Sequence, residues 1–319
     1  MSNFRHLEIN DDVRAEVSSP NLDLKEMEYC VLSSQIELRE IVASNPKLSK
    51  KFAEWMSKDI EPSVRAAISK NVSINPELVL ELSNDPHIAV ISAAAENPNL
   101  KSERLSELAA HRSYIVRTEV ARNPNASIQV LEKLAQDSEW GVRRSVALNK
   151  KADTNLLSTL AQDPIQEIQI AVSENSQTTI QILEKMWTDS PATRGTIVNN
   201  PNCSEEFLIR VFEEALQPTK DQDDTWEDDV RGDTSIRESI ASRADLTRKL
   251  ISLLLKDPSH YVRRELAKNV CLTAEDLSLL ALDDDENVRQ AVVENPNTSN
   301  ESKTAATLLG LPVTESDDE

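Results

Sequence analysis

The sequence predicts an all-α solenoid of about eleven two-helix repeats, each 25–26 residues long. Three observations carry this reading. An asparagine-centred segment recurs along almost the whole chain, two apolar columns four residues apart accompany it, and capping residues mark starts and stops at fixed offsets. Recurrence at a fixed period of 20–50 residues is the signature of stacked repeat architectures.

The anchors are Pro20, Asn45, Asn71, Asn97, Asn123, Asn149, Asn175, Asn200, Arg243, Asn269 and Asn295. Their intervals are 25, 26, 26, 26, 26, 26, 25, 43, 26 and 26. Only the 43 departs, which marks an insertion of about 17 residues over the period.

The first helix of each unit precedes the anchor. Three residues before it stand Val17, Val42, Ile68, Ala94, Val120, Val146, Val172, Ile197, Ile240, Leu266 and Val292. Seven before it stand Val13, Leu38, Val64, Val90, Val116, Val142, Ile168, Thr193, Ile236, Val262 and Val288. Positions four apart share a helix face, so the two columns form one apolar stripe. Nine of the eleven residues two before the anchor are Ala or Ser, small enough for neighbouring helices to approach closely. Asp59, Asp85, Asp137, Asp163, Asp257 and Asp283 stand twelve before it, three of them followed by proline, and read as N-caps. Asn-Pro at five anchors reads as the helix stop.

A second helix follows. Nine of eleven residues four after the anchor are capping types, among them Ser49, Asn75, Ser127, Asp153 and Thr273. Beyond them, pairs such as Leu131 and Leu134, or Leu157 and Leu160, repeat a three-residue spacing. On about ten residues that spacing suits a short α-helix or a 3₁₀ run. A lone unit cannot bury both stripes, but a stack can. The expected domain organisation is a single solenoid over 1–311, an acidic insertion loop at about 215–234, and an acidic disordered tail at 312–319.

The composite D-P-x-x-x-V-R-x-x-V-A-x-N-P-x-x-S/T-x-x-x-L-x-x-L-A-x-D resembles the leucine-rich repeat variant family, a bacterial relative of HEAT-type repeats. Val116–Asp137, Asp137–Asn149 and Asp257–Leu282 match it best, and the resemblance extends over about residues 8 to 310. It implies a right-handed α-α superhelix of paired helical segments, the second short or 3₁₀. It implies a scaffold rather than a chemistry. Some members carry a cysteine-rich iron–sulfur segment, and no cluster is carried over to this chain.

Composition narrows the function. The four glycines never fall closer than 37 residues apart, so no GxGxxG, GxxxxGK[ST] or GxSxG motif can be written. A formal charge of −20 repels nucleic acid and anionic membrane, so no direct nucleic-acid partner is expected. Cys30, Cys203 and Cys271 form no CxxC pair, and His6, His87, His111 and His260 occupy unrelated repeat positions, so neither a disulfide framework nor a metal site is expected. The longest apolar run, Leu250 to Leu255, falls far short of the about 20 residues a membrane span needs. MSNFRHLEIN has no apolar signal core, so the expected location is cytoplasmic.

An arginine follows the earlier apolar column at nine of eleven units, with Ile91 and Gln169 the exceptions. Recognition residues vary between the units of a solenoid, so this regularity argues for arginines that bind aspartates or carbonyls of a neighbouring unit. The anchor asparagines are expected to satisfy turn backbone in the same way. The expected function is a non-enzymatic protein-binding scaffold with no cofactor. Candidate contacts are Trp226 with Asp223, Asp224 and Glu227 in the insertion, and Trp55, Tyr114 and Trp140 on the repeats. Two rivals remain: a helical-repeat DNA glycosylase recruiting Trp140, Trp187 and Arg144, or an acidic mimic of nucleic acid that blocks a DNA-binding protein.

Overall fold

A computed structural model describes residues 9–217 and 233–309. Among them every regular element is helical. They divide into two compact units, residues 1–177 and 178–319. The first contains α1 Asp11–Ser18, α2 Leu24–Val31, α3 Ile36–Ala43, α4 Lys50–Met56, α5 Pro62–Lys70, α6 Pro76–Leu82, α7 Ile88–Glu96, α8 Ser102–Leu108, α9 Tyr114–Arg122, α10 Ile128–Leu134, α11 Trp140–Leu148, α12 Thr154–Leu160 and α13 Gln166–Glu174. The second contains α14 Ile180–Asp189, α15 Arg194–Ile197, α16 Glu205–Ala215, α17 Thr234–Ala241, α18 Arg248–Leu254, α19 His260–Lys268, α20 Ala274–Leu280, α21 Glu286–Glu294 and α22 Asn300–Leu308.

Both apolar columns of the first helices are buried throughout, Thr193 included. Each such Val or Leu contributes about 1.5–3 kcal/mol relative to exposure. First helices of successive units pack on one another, as α5 on α7 and α19 on α21, and each second helix packs under the next first helix. Ala43, Ser69, Ala95, Ala121 and Ala147 are buried at the small-residue column. The anchor asparagine is the C-cap of α5, α7, α9, α11, α13, α19 and α21.

The second helices are α-helical, mostly seven residues long, and not 3₁₀. A three-residue leucine spacing fits both forms, and the capping chemistry favours α. The side chains of Ser49, Asn75, Ser127, Asp153, Ser204, Thr247, Thr273 and Ser299 each accept from the N3 backbone N–H. A cap of this kind is worth about 1 kcal/mol.

The aspartate column required a correction. Asp59, Asp85, Asp137, Asp163, Asp257 and Asp283 are not the N-caps of the first helices; Glu61, His87, Glu139, Ile165, Ser259 and Asp285 are. Each aspartate closes a turn two residues earlier, where its Oδ1 accepts the N–H two positions on, as Glu61 N–H to Asp59 at 2.9 Å. Such Asx turns place the following proline inside the turn rather than at the first helical position.

The repeat is least regular between α14 and α16. Helix α14 runs ten residues, a 3₁₀ turn follows at Pro191–Thr193, and α15 keeps only four residues. Residues 218–232 of the insertion and 310–319 of the tail lie outside the described residues.

Candidate functional site

The two polar columns are structural. Arg39, Arg65, Arg117, Arg143, Arg237 and Arg263 each grip the aspartate twenty residues on through Nε and Nη2, at 2.5–3.4 Å. In all but Arg237, Nη1 donates to the backbone carbonyl six residues earlier, as Arg65 to Asp59 at 2.7 Å and Arg143 to Asp137 at 2.8 Å, whereas Arg237 Nη1 reaches Ala215 O at 2.6 Å. Asp59 therefore takes Arg39 on its carboxylate and Arg65 on its carbonyl, which ties two successive arginines together. Bidentate charge-assisted bonds of this geometry are roughly twice as strong as neutral ones.

Other units depart from this pattern. Where the arginine is Ile91, the residue twenty on is His111, whose Nδ1 closes the turn by accepting Ser113 N–H. Gln169 keeps only the carbonyl contact, to Asp163 at 2.8 Å. Arg194 lies over Trp187, with its guanidinium carbon 4.8 Å from the ring centroid.

Burial pushes the carboxyls of Asp85, Asp137, Asp163 and Asp283 up, but the arginine and backbone hydrogen bonds outweigh it and hold all four below the usual 3.8. Asp257 differs: its surroundings are closed to water, and burial pushes it above 3.8 against the pull of Arg237. For the four lowered groups the folded state binds protons less readily than the unfolded chain. Their stabilisation is complete above pH 3.8 and is lost as pH falls through their lower folded values. Thermal melting followed by circular dichroism should therefore show Tm falling steeply below that pH. A Tm indifferent to acid down to pH 3 would contradict the clamp.

The asparagines form a second ladder. Asn45, Asn71, Asn97, Asn123, Asn149, Asn175, Asn269 and Asn295 donate from Nδ2 to the carbonyls 28 and 26 residues earlier, at 2.6–3.2 Å. In each case the nearer acceptor is the preceding anchor residue, or Ser19 for Asn45. Each Oδ1 accepts the N–H two positions on, as Asn125 N–H to Asn123 at 2.8 Å. At the unit after the insertion Arg243 takes over, donating Nη1 to Val198 O and Asn200 O, while Asp245 pairs with its other edge at 2.6–2.8 Å.

With these columns engaged in holding the stack, the exposed aromatics remain as contact candidates. Trp55, on α4, is 49% exposed and borders a groove of about 810 Å³. Leu32, Phe52 and Ile60 supply the groove's apolar lining, and Lys51, Lys58, Glu28 and Glu54 give it charges of both signs. Tyr114 and Trp140 are the first residues of α9 and α11, one repeat apart, and both are about half exposed. They belong to first helices and Trp55 to a second helix, so the structure separates them into two surfaces. Arg144, one turn after Trp140 on α11, is half-buried and makes no hydrogen bond or ion pair among the described residues.

Trp187 is not available. It is buried, donates Nε1 to Glu214 at 2.9 Å, and meets Phe207 edge-on at 5.7 Å between centroids. Trp226, Asp223, Asp224 and Glu227 lie outside the described residues. Ile60 and Leu32 escaped the sequence reading because each stands alone in its own unit and meets Trp55 only through the fold. Among the described residues no group of three His, Cys, Asp or Glu stands close enough to hold a metal ion, and no helix is long and apolar enough to cross a membrane. Burial pushes the Cys30 thiol up to about 12 and that of Cys203 to about 11, which suppresses the nucleophilic thiolate.

Stacked helix pairs held by repeated side-chain ladders define a helical-repeat protein. The family model described as leucine rich repeat variant matches residues 115–139, the length of one repeat. The chain is also similar to the solved structure titled "a leucine-rich repeat variant with a novel repetitive protein structural motif". The identity is 21%, the TM-score is 0.40, and the match covers 78% of this chain and 87% of that one. No curated protein matches the chain.

Proposed function

We propose that the chain is a non-enzymatic, cytoplasmic protein-binding scaffold that holds a segment of a partner protein in the Trp55 groove. The observation that carries this reading is the groove itself, a concavity with Trp55, Phe52, Leu32 and an 86% exposed Ile60 along it. Sites of this kind combine an apolar lining with a few polar groups that fix orientation, here Lys51 and Lys58. The Tyr114–Trp140 pair offers a second contact, of the rigid aromatic type that dominates binding energy at interfaces. A location in a reducing compartment agrees with three free cysteines, two of them buried.

The test uses a partner identified by capture from the native host and then purified. Trp55→Ala is expected to weaken its binding at least about tenfold while the melting temperature stays unchanged, because Trp55 is half exposed. Wild-type affinity in both Trp55→Ala and the Tyr114→Ala/Trp140→Ala double variant would remove the proposed surfaces. Tight binding of alkylated DNA at low salt, or turnover of it, would replace the scaffold reading with the glycosylase one.

A further inference from the structure

We propose that Arg289 is an unfilled carboxylate receptor at the end of the described repeats. It would take an aspartate or glutamate side chain in the position its equivalents give to an aspartate. Arg289 belongs to the clamp column and is set in the clamp conformation. Its Nη1 donates to Asp283 O at 2.8 Å and Asp284 O at 3.0 Å, matching Arg263 on Asp257 O at 2.9 Å and Pro258 O at 3.0 Å. In Arg263 the opposite edge of the guanidinium then holds Asp283. Among the described residues that edge of Arg289 meets no carboxylate: the residue twenty positions on is Leu309, and Nε is buried with no hydrogen-bond partner.

The reason lies in the last second helix. Helix α20 stops at Leu280, and two residues intervene before Asp283 enters its turn. Helix α22 runs to Leu308 with Leu309 as its C-cap, so the chain is still leaving the helix where the others deliver an aspartate. Arg289 is 8% exposed, so its unused donor lies in low dielectric, where a charge-assisted hydrogen bond is strong, and a carboxylate reaches Nε by displacing the atoms that cover it. Leu282, Leu308 and Leu309 are exposed apolar side chains in this last stretch of the described chain. The ligand is therefore an acidic side chain with apolar neighbours, as in Leu280-Ala281-Leu282-Asp283, the segment that fills the preceding clamp. The carboxylate can come from the acidic residues between 315 and 319 of the same chain or from another molecule.

The test follows the Nε–Hε signals of the full-length chain by NMR. Arg263 serves as the filled reference, and the Arg289 signal is assigned by its loss in Arg289→Lys. The titrant is the acetylated, amidated peptide Leu-Ala-Leu-Asp, with Leu-Ala-Leu-Asn as control. Binding is expected to move Arg289 Hε downfield towards Arg263 and slow its solvent exchange at least about tenfold, the factor a hydrogen bond to a charged group supports. A shift seen only with the Asp peptide supports the receptor and places its ligand in another molecule. A signal already slow in the full chain, and released by the combined change Glu315→Gln, Asp317→Asn, Asp318→Asn and Glu319→Gln, supports it and places the ligand in the chain's own end. Two results overturn the proposal. One is a fast, unshifted Hε at saturating Asp peptide. The other is a slow one that persists in the neutralised chain with no peptide present.

Discussion

Arg237→Met is expected to destabilise the 178–319 unit by about 3–5 kcal/mol, the cost of leaving one member of a buried ion pair without its partner. Neither Arg237 nor Asp257 has any exposed side-chain surface. Removing the guanidinium strands a carboxylate that burial already pushes above its usual value, and it also frees the Ala215 carbonyl that Arg237 holds at 2.6 Å. Arg143→Met, in a pair that water reaches at 15% and 8% exposure, should cost clearly less. Adding Asp257→Leu to Arg237→Met should recover part of the loss, because the apolar pair no longer carries an unpaired charge, while the Ala215 carbonyl and the Ser259 N–H remain without their partners. Urea denaturation monitored by circular dichroism separates these outcomes. Equal losses in Arg237→Met and Arg143→Met would show that burial does not set the cost.

Asn123→Ala is expected to cost about 2–4 kcal/mol, since it leaves the buried Ala95 carbonyl without a partner at about 1–3 kcal/mol and removes two further hydrogen bonds whose losses do not add fully. Those two run to the Asn97 carbonyl, which keeps the Leu100 N–H, and from the part-buried Asn125 N–H. Asn123→Asp should be nearly as damaging, because it keeps the acceptor and loses both donors. Hydrogen exchange gives the more telling readout: protection should fall first in α7 and α9, the two first helices joined by that asparagine. Unaltered protection there would refute the ladder as a source of stability. Arg243 shows that the position demands donors rather than an amide, since its guanidinium reaches the same two carbonyl positions and Asp245 neutralises the added charge.

Most of this architecture is legible in the sequence. The period, the buried columns and the second-helix caps follow from helix geometry, which repeats whenever the same residue types recur at the same offsets. The structural roles of Arg65, Arg143 and Asn123 were legible too, because a polar column kept in most units is not reading a variable partner. Asp59 and Asp137 were misread because a carboxylate before a helix can serve equally as an N-cap or as an Asx turn. The constant twenty-residue offset from an arginine was the signal that distinguished them, and the joint change to Ile91 and His111 repeats it. The Trp55 groove was not legible: Leu32, Trp55 and Ile60 occupy different columns in different units, and no periodic reasoning brings them together. Trp187 was misjudged for a related reason. The broken helix around Pro191 lets Phe207 and Glu214 enclose it, and a break in the period is where extrapolation from the other units fails.

The clamp also determines where the chain can be cut and rejoined. An arginine and the aspartate it grips are twenty residues apart within a twenty-six-residue period, so a boundary drawn just after each aspartate keeps both on one segment: Arg143 with Asp163 on 138–163, Ile91 with His111 on 86–111. The asparagine joint between such segments is chemically the same whichever segment comes next. Duplication or loss of a whole segment at that boundary leaves no charge stranded, whereas a crossover inside the twenty-residue span takes cation and anion from different repeats, which mismatches them where one comes from the Ile91–His111 unit. The stack thus offers recombination a preferred phase, with both members of that altered pair carried on one segment.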